Sequence, residues 1–302
     1  MLSVHKSVLL HEVVRSLTEG YKKTSKSPIW YLDGTLGGAG HALGIAEAFK
    51  SKINIIGLDR DEQAISRAKE KLSHKVDRLI LENENFVNLD KVLERNSLKS
   101  VDLILFDLGI SSDELEHSGR GFSFLKDEPL LMTMGEPKKY IFTAKDIVNN
   151  WEEDVIANIL YGYAGERFAR RIARNIVVYR AKKKIETSGE LAEIVKMSVP
   201  GFYRRGKIHP ATKTFQALRI AVNDELGSLR GGLQKGFESL SSGGRMAVIS
   251  FHSGEDRIVK NFYKEKSKQA LIITKKPIVP SEKEIEENPR SRSAKLRIIE
   301  KI

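Results

Sequence analysis

Residues Ile29-Trp30-Tyr31-Leu32-Asp33-Gly34-Thr35-Leu36-Gly37-Gly38-Ala39-Gly40-His41 decide how this chain is read. An apolar run ends in an acid, a loop dense in glycine follows, and Ala42–Phe49 continues with a helical pattern. Strand, glycine loop and helix bring backbone N–H groups close to a small ligand. No glycine here has partners two and five residues on, so the dinucleotide spacing is missing. An acid followed by a tight glycine turn suits a nucleoside with a short charged tail better than a pyrophosphate. A βα turn without any ligand is the plain alternative.

The neighbouring segments extend the pattern. Ile53–Leu58 is a continuous apolar run and reads as a second, buried parallel strand. It ends in Asp59-Arg60-Asp61, where a doubly wound fold grips a ribose diol. Asp59 is the expected ribose ligand, and Asp61 the expected cap of a helix over 62–72. Arg78–Leu81 reads as a third strand. Phe86 beyond it is either a neighbour of the ligand's base or a hinge aromatic in the core. Val101–Phe106 is the fourth strand and ends in Asp107, the third acid in register after Asp33 and Asp59. Upstream, Val8–Leu17 follows a helical period with Ser7 as the expected cap, and His5 is expected at the surface.

After Ser112 the rhythm changes. Residues 113–208 show no buried-strand runs and carry amphipathic helical patterns at 143–148, 152–161, 166–180 and 188–199. These predict an inserted helical subdomain. A fifth buried strand follows a Gly243-Gly244 turn, at Arg245–Ser250, with the last candidates at 271–274 and 296–300. The predicted fold is α/β: a mostly parallel, doubly wound seven-stranded sheet formed by 1–112 and 209–302, interrupted by the helical insert 113–208.

The chain has 302 residues, 40% hydrophobic and 30% charged, which suits a soluble globular protein. No apolar stretch approaches a membrane span and the first residues lack an export signal, so a cytoplasmic, non-membrane protein is expected. There is no cysteine, which excludes disulfides and thiolate chemistry. Histidine and acid spacings match no compact metal site. The net charge is +11, with an isoelectric point of 9.5. The excess is concentrated in the insert. Arg167, Arg170, Arg171 and Arg174 fall in one arc of roughly 100° on a helical wheel. Arg204, Arg205 and Lys207 lie in a stretch from 201 to 219 with no acid, beside Phe202 and Tyr203. Cations that track phosphates next to rings that stack on bases describe a single-stranded RNA surface; a solvated helix face is the alternative.

Together the motifs resemble those of the bacterial 16S rRNA (cytosine-N4)-methyltransferases. The resemblance runs nearly end to end. It is carried by His5–Leu10, Asp33–His41, Asp59–Asp61, Asp107–Ser112, Arg120–Phe124, Gly165–Arg174, His209–Ile220, Ser250–Ser253, Glu255–Arg257 and Asn288–Ser293. It implies a class I methyltransferase sheet, S-adenosylmethionine as methyl donor, and a cytosine in the decoding region of the small ribosomal subunit as acceptor. Carried over by position, the cofactor contacts would be Asp33, Ala39, Gly40, His41, Asp59, Phe86, Asp107 and Glu114, the last where the family usually has Gln. Asp107 is the candidate catalytic acceptor. His252 is a chemically possible base or a hydrogen-bonded loop histidine. The aromatic for the target base is expected from Phe122, Phe124 or Phe251, since no acid-Pro-Pro-aromatic motif follows Asp107. Leu131, Thr133, Gly135 and Gly254 depart from the family pattern and put the substrate-side loop in question. A monomer or homodimer is expected. Methylation of another RNA or a protein, or RNA binding with a decayed pocket, are the competing functions.

Overall fold

The computed structural model describes residues 6–21 and 28–302; His5 lies outside them. The elements in chain order are α1 (Leu10–Thr18), β1 (Trp30–Asp33), α2 (Gly40–Ala48), β2 (Asn54–Asp59), α3 (Glu62–Leu72), β3 (Arg78–Asn83), α4 (Leu89–Arg95) and β4 (Val101–Asp107). Seven helices follow: α5 (Ser112–His117), α6 (Ala144–Asn150), α7 (Glu153–Ala164), α8 (Ala169–Arg180), α9 (Ser188–Ser198), α10 (Gly201–Arg204) and α11 (Thr212–Asn223). The chain closes with α12 (Glu225–Ser239), β5 (Leu240–Ser250), α13 (Ser253–Glu265), β6 (Ala270–Ile272), α14 (Glu282–Glu287) and β7 (Lys295–Lys301). No helix among the described residues is long and apolar enough to cross a membrane.

One unit, 1–109 with 227–302, holds a seven-stranded sheet in the order β3-β2-β1-β4-β5-β7-β6. Only β7 runs against its neighbours. The central strands read as unbroken apolar runs because both faces are covered. Alternate residues of each strand point to opposite faces. Tyr31, Ile55, Leu103, Leu105 and Ile249 pack with Val13 and Leu17 of α1, Ala42 and Ile45 of α2 and Leu72 of α3. Leu32, Ile56, Ile104, Phe106 and Val248 pack on the other face with Val92 of α4, Leu233 and Phe237 of α12 and Tyr263 of α13. This is the mostly parallel, seven-stranded α/β sheet that the sequence predicts.

Two local expectations differ. Ser7 does not cap α1: the N-cap is Leu9, in a left-handed conformation and without a side-chain cap, and its N–H donates to Glu284 Oε1 at 2.7 Å. Gly243-Gly244 is not a turn before β5 but lies inside it. The strand begins at Leu240, opposite Val101, and its pairing slips before Leu103↔Arg245. Gly243 has φ +75°, and a Cβ on Gly244 would fall 2.8 Å from two backbone oxygens, so the pair accommodates a bulge.

The other unit spans 110–226 and is helical. The predicted helices appear as α6 to α9. Capping boxes at Thr143/Asp146 and Thr187/Glu190 start α6 and α9, and left-handed Gly165 ends α7. The unit runs past 208. Residues Phe215, Leu218 and Val222 of α11 join Ile156, Leu160, Ile172 and Val195 in its core. Helix α11 therefore belongs with the insert, and the break before it at His209-Pro210 is a turn inside this unit.

Candidate active site

Helices that pack on both faces of the sheet leave the carboxyl ends of β1, β2 and β4 to hold the acids. The glycine loop is wired to all three strands. Gly34 N–H donates to Leu105 O at 2.9 Å and Leu36 N–H to Leu58 O at 3.0 Å. Gly37 N–H donates to Asp59 Oδ2 at 2.8 Å, and Asp107 N–H to Thr35 Oγ1 at 2.6 Å. Ala39 caps α2 at φ +61°, a left-handed conformation that costs an alanine roughly 1–2 kcal/mol. At Gly40 a Cβ would sit 2.0 Å from Ser7 Oγ, so only glycine fits there without displacing Ser7.

The three strand-end acids differ in environment. Asp33 is 1% exposed; it accepts from Tyr31 Oη–H at 2.9 Å and from Thr35 N–H at 3.2 Å. Burial outweighs these bonds and pushes its carboxyl up to about 7. Asp59 accepts from Gly37 N–H and Asp61 N–H, both at 2.8 Å, and burial again raises it. Asp61 accepts from Gln63 N–H at 3.3 Å and caps α3, as expected. Asp107 is driven well above the carboxylate range, first by burial and then by the Asp33 and Glu255 carboxylates. Its Oδ1 is a buried acceptor with no hydrogen-bond partner among the described residues. An orphaned acceptor beside two further acids fits a ligand that brings positive charge and N–H or O–H donors. S-adenosylmethionine, with a sulfonium, an ammonium and a ribose diol, meets that demand.

His41 is 5% exposed. Its Nε2 lies 2.9 Å from Val8 O, and since a carbonyl only accepts, Nε2 carries the proton. Nδ1 then faces Asp107 Oδ2 at 3.6 Å. Phe86 follows β3 and is half-buried. It packs at 4.7 Å on Phe106, and a Cβ on Gly232 of α12 would come within 2.4 Å of its ring. One side of its ring thus packs on the core.

His252 is the N-cap of α13. Its Nδ1 accepts from Gly254 N–H at 3.2 Å and Glu255 N–H at 3.4 Å, which makes the residue structural and occupies the nitrogen a base would use. Glu255, 2% exposed, returns the box by accepting from His252 N–H at 3.3 Å and also accepts from Phe251 N–H at 2.8 Å. Gly254, a departure from the family pattern, lies in the first turn of α13, where a Cβ would meet the His252 ring at 3.0 Å. Sequence reading missed Thr35, Tyr31 and Glu255 as partners of the acids. For Glu255 the only signal was its place three residues after a possible cap.

Of the remaining candidates, all but Phe251 lie in the helical unit. Glu114 closes a capping box with Ser111, Oε2 accepting from Ser111 N–H at 3.1 Å. Glutamine would serve the same box. Of the aromatics named for the target base, Phe122 is buried in the helical core and Phe124 stacks on His209 at 4.3 Å. Phe251 lies in the sheet unit against Gly109, which follows β4 with φ +98°. The segment 131–135 is tied down. Leu131 and Met132 N–H both donate to Arg120 O, Asn223 bonds Met134 N–H and Met132 O, and Leu130, Met132 and Thr133 are fully buried. Met132, at φ +57°, carries local strain.

All seven cations named for RNA are exposed. They are not equivalent. Arg204 is spent on Val199 O and Met197 O at 2.9 and 3.3 Å, closing the end of α9, and Arg167 lies over three aromatic rings. Arg174 pairs with Glu153 at 3.6 Å.

A family model described as the MraW methylase family matches residues 2–302. Among curated proteins, the ribosomal RNA small subunit methyltransferase H of Acetivibrio thermocellus is 46% identical over 317 residues, covering 99% of both chains. Proteins of the same name from Clostridioides difficile and Sulfurihydrogenibium sp. are 43% and 47% identical, covering 99% and 97% of this chain and 99% and 98% of their own.

Proposed function

The chain belongs to the MraW methylase family, and from that premise we propose that it methylates the exocyclic N4 of one cytidine in the decoding region of 16S rRNA, with S-adenosylmethionine as donor. One observation carries the reading of the site: three strand-end aspartates converge on the glycine loop, one of them with an orphaned oxygen. When bound, S-adenosylmethionine supplies an electrophilic methyl group on a sulfonium. Asp59 would hold the ribose hydroxyls, the 37–41 backbone the amino-acid tail, and Asp33 and Asp107 the positive charge.

The amino nitrogen of cytosine is a poor nucleophile because its lone pair is delocalised into the ring. Asp107 Oδ1 accepts a hydrogen bond from that amino group, which favours a pyramidal nitrogen and offsets the charge that develops on it. His41, held by Val8 O, lies beside the other oxygen, with Nδ1 3.6 Å from it. Thr35 fixes its backbone. Phe251 is the aromatic that borders the base, which leaves its stack to enter the site. Exposed arginines of the helical unit contact the RNA backbone. We place the enzyme in the cytoplasm with the small ribosomal subunit, as a monomer or homodimer.

The test is mass spectrometry of small-subunit rRNA from cells with and without the gene, together with a labelled-donor assay on 30S particles, free rRNA and lysate protein. An N4-methylcytidine lost on deletion and restored by the purified enzyme is expected. Label that appears only on protein or on another RNA would overturn the proposal.

A further inference from the structure

The helical unit contains an aromatic cluster that methyl transfer does not use. Glu166 is fully buried between α7 and α8. Both its oxygens are engaged: Tyr203 Oη–H donates at 2.8 Å and Phe168 N–H at 2.9 Å. This buried carboxylate ties α10 to the start of α8. Around it, Phe168 meets Tyr203 at 5.0 Å and Phe202 at 6.3 Å, both edge-on. The Arg167 guanidinium lies over all three rings, at 4.8, 5.2 and 4.9 Å from Phe168, Phe202 and Tyr203. Phe202 is nonetheless 61% exposed.

A phenylalanine that is held in place and yet wet calls for a partner. The charge of Arg167 is directed onto the rings, so it is poorly placed to track phosphates. Exposed Arg170, Arg171, Arg205 and Lys207 are suited to that task, and no acid occurs between 201 and 219.

We propose, resting on the RNA-methyltransferase reading, that Phe202 backed by Arg167 is a stacking platform for one unpaired nucleobase of the RNA, with Glu166 as its positioning residue. Every base has a π-face, and a ring beside a cationic backbone track is the combination that single-stranded sites use. An acidic peptide would use the cations and gain nothing from the ring, so charge and aromatic together select nucleic acid.

The experiment measures binding of the full chain to a fluorescein-labelled single-stranded RNA oligonucleotide by anisotropy across a salt series. A second oligonucleotide carries 2-aminopurine to report stacking. Phe202→Ala is expected to weaken binding about tenfold with an unchanged salt slope, because a stack is lost and no phosphate contact. Phe202→Trp should restore affinity, and 2-aminopurine quenching should be seen with the parent and lost in Phe202→Ala. Glu166→Gln should weaken binding less than Phe202→Ala, also without a change of slope. If the parent binds RNA and Phe202→Ala binds within twofold of it, the platform is overturned while the RNA reading stands. If the parent binds no RNA, both fall; if an acidic peptide used as a control binds the parent and loses as much on Phe202→Ala, the nucleobase platform alone is overturned.

Discussion

Asp33 should make the folded protein lose stability as pH rises through the range where carboxylates ordinarily gain it. Its side chain is buried at the end of β1, and its carboxyl titrates near 7 in the folded chain against 3.8 when unfolded. Below 3.8 both states hold the proton and the group contributes no pH dependence. Between 3.8 and about 7 the unfolded chain is ionised while the folded chain keeps its proton. The folded state then binds more protons, and stability falls with pH. At 1.36 kcal/mol per pH unit, a shift of about three units amounts to about 4 kcal/mol, fully lost above pH 7. The perturbation is Asp33→Asn, and the assay is urea unfolding of parent and variant from pH 4 to pH 8. The amide leaves one of the Tyr31 and Thr35 donors poorly matched, at a pH-independent cost of about 1–3 kcal/mol. The difference between the two proteins should therefore start in favour of the parent and move by about 4 kcal/mol toward the variant. Subtraction removes the titration of groups that do not interact with Asp33; what remains belongs to Asp33 together with its coupled neighbours Asp107 and Asp59. A difference that stays flat with pH would refute the argument that burial dominates the Asp33 environment.

Four further outcomes follow from the site. A cationic donor should ionise Asp33, whose carboxyl is pushed up to about 7, so S-adenosylmethionine binding should release protons just below that pH and tighten with pH; calorimetry in buffers of different ionisation enthalpy reads this directly. Asp59→Ala should weaken the donor by about 10- to 100-fold and lower stability by about 1–3 kcal/mol, since Gly37 and Asp61 N–H lose their acceptor. Asp107→Asn should lower single-turnover methyl transfer by about 100-fold or more without lowering its urea midpoint, because no side-chain hydrogen bond is lost at Oδ1 and a buried carboxyl that resists ionisation is removed. Replacing Arg170, Arg171 and Arg174 with Gln should reduce the slope of log affinity against log salt by about 2 on single-stranded RNA and leave donor affinity unchanged.

Several parts of the fold were legible from short-range pattern. Parallel strands buried on both faces announce themselves as apolar runs, and their ends at Asp33, Asp59 and Asp107 could be read directly. Helices α6 to α9 show their period because each is amphipathic. The bulge at Gly243-Gly244 could not be told from a turn, since both need the same residue type. The allegiance of α11 was hidden as well: its apolar stripe says that it packs, not on what. The packing of Phe86 was hidden too, because Gly232, distant in sequence, leaves the space that admits its ring.

The sequence by itself determined the sheet, the glycine loop and the three acids, because these depend on residue type within a few positions of one another. It also placed the cations, since charge is a property of composition. Tertiary structure alone decided how each group is used. Asp33 and Asp107 are raised by a burial that no local pattern encodes. His252 is a cap because its ring turns onto its own helix. Arg204 and Arg167 left the set of open phosphate contacts because the carbonyls at the end of α9 claimed the first and the Phe168, Phe202 and Tyr203 rings the second. Desolvation and hydrogen-bond partnership are set by what the folded chain brings alongside, and these neighbours come from separate stretches of it.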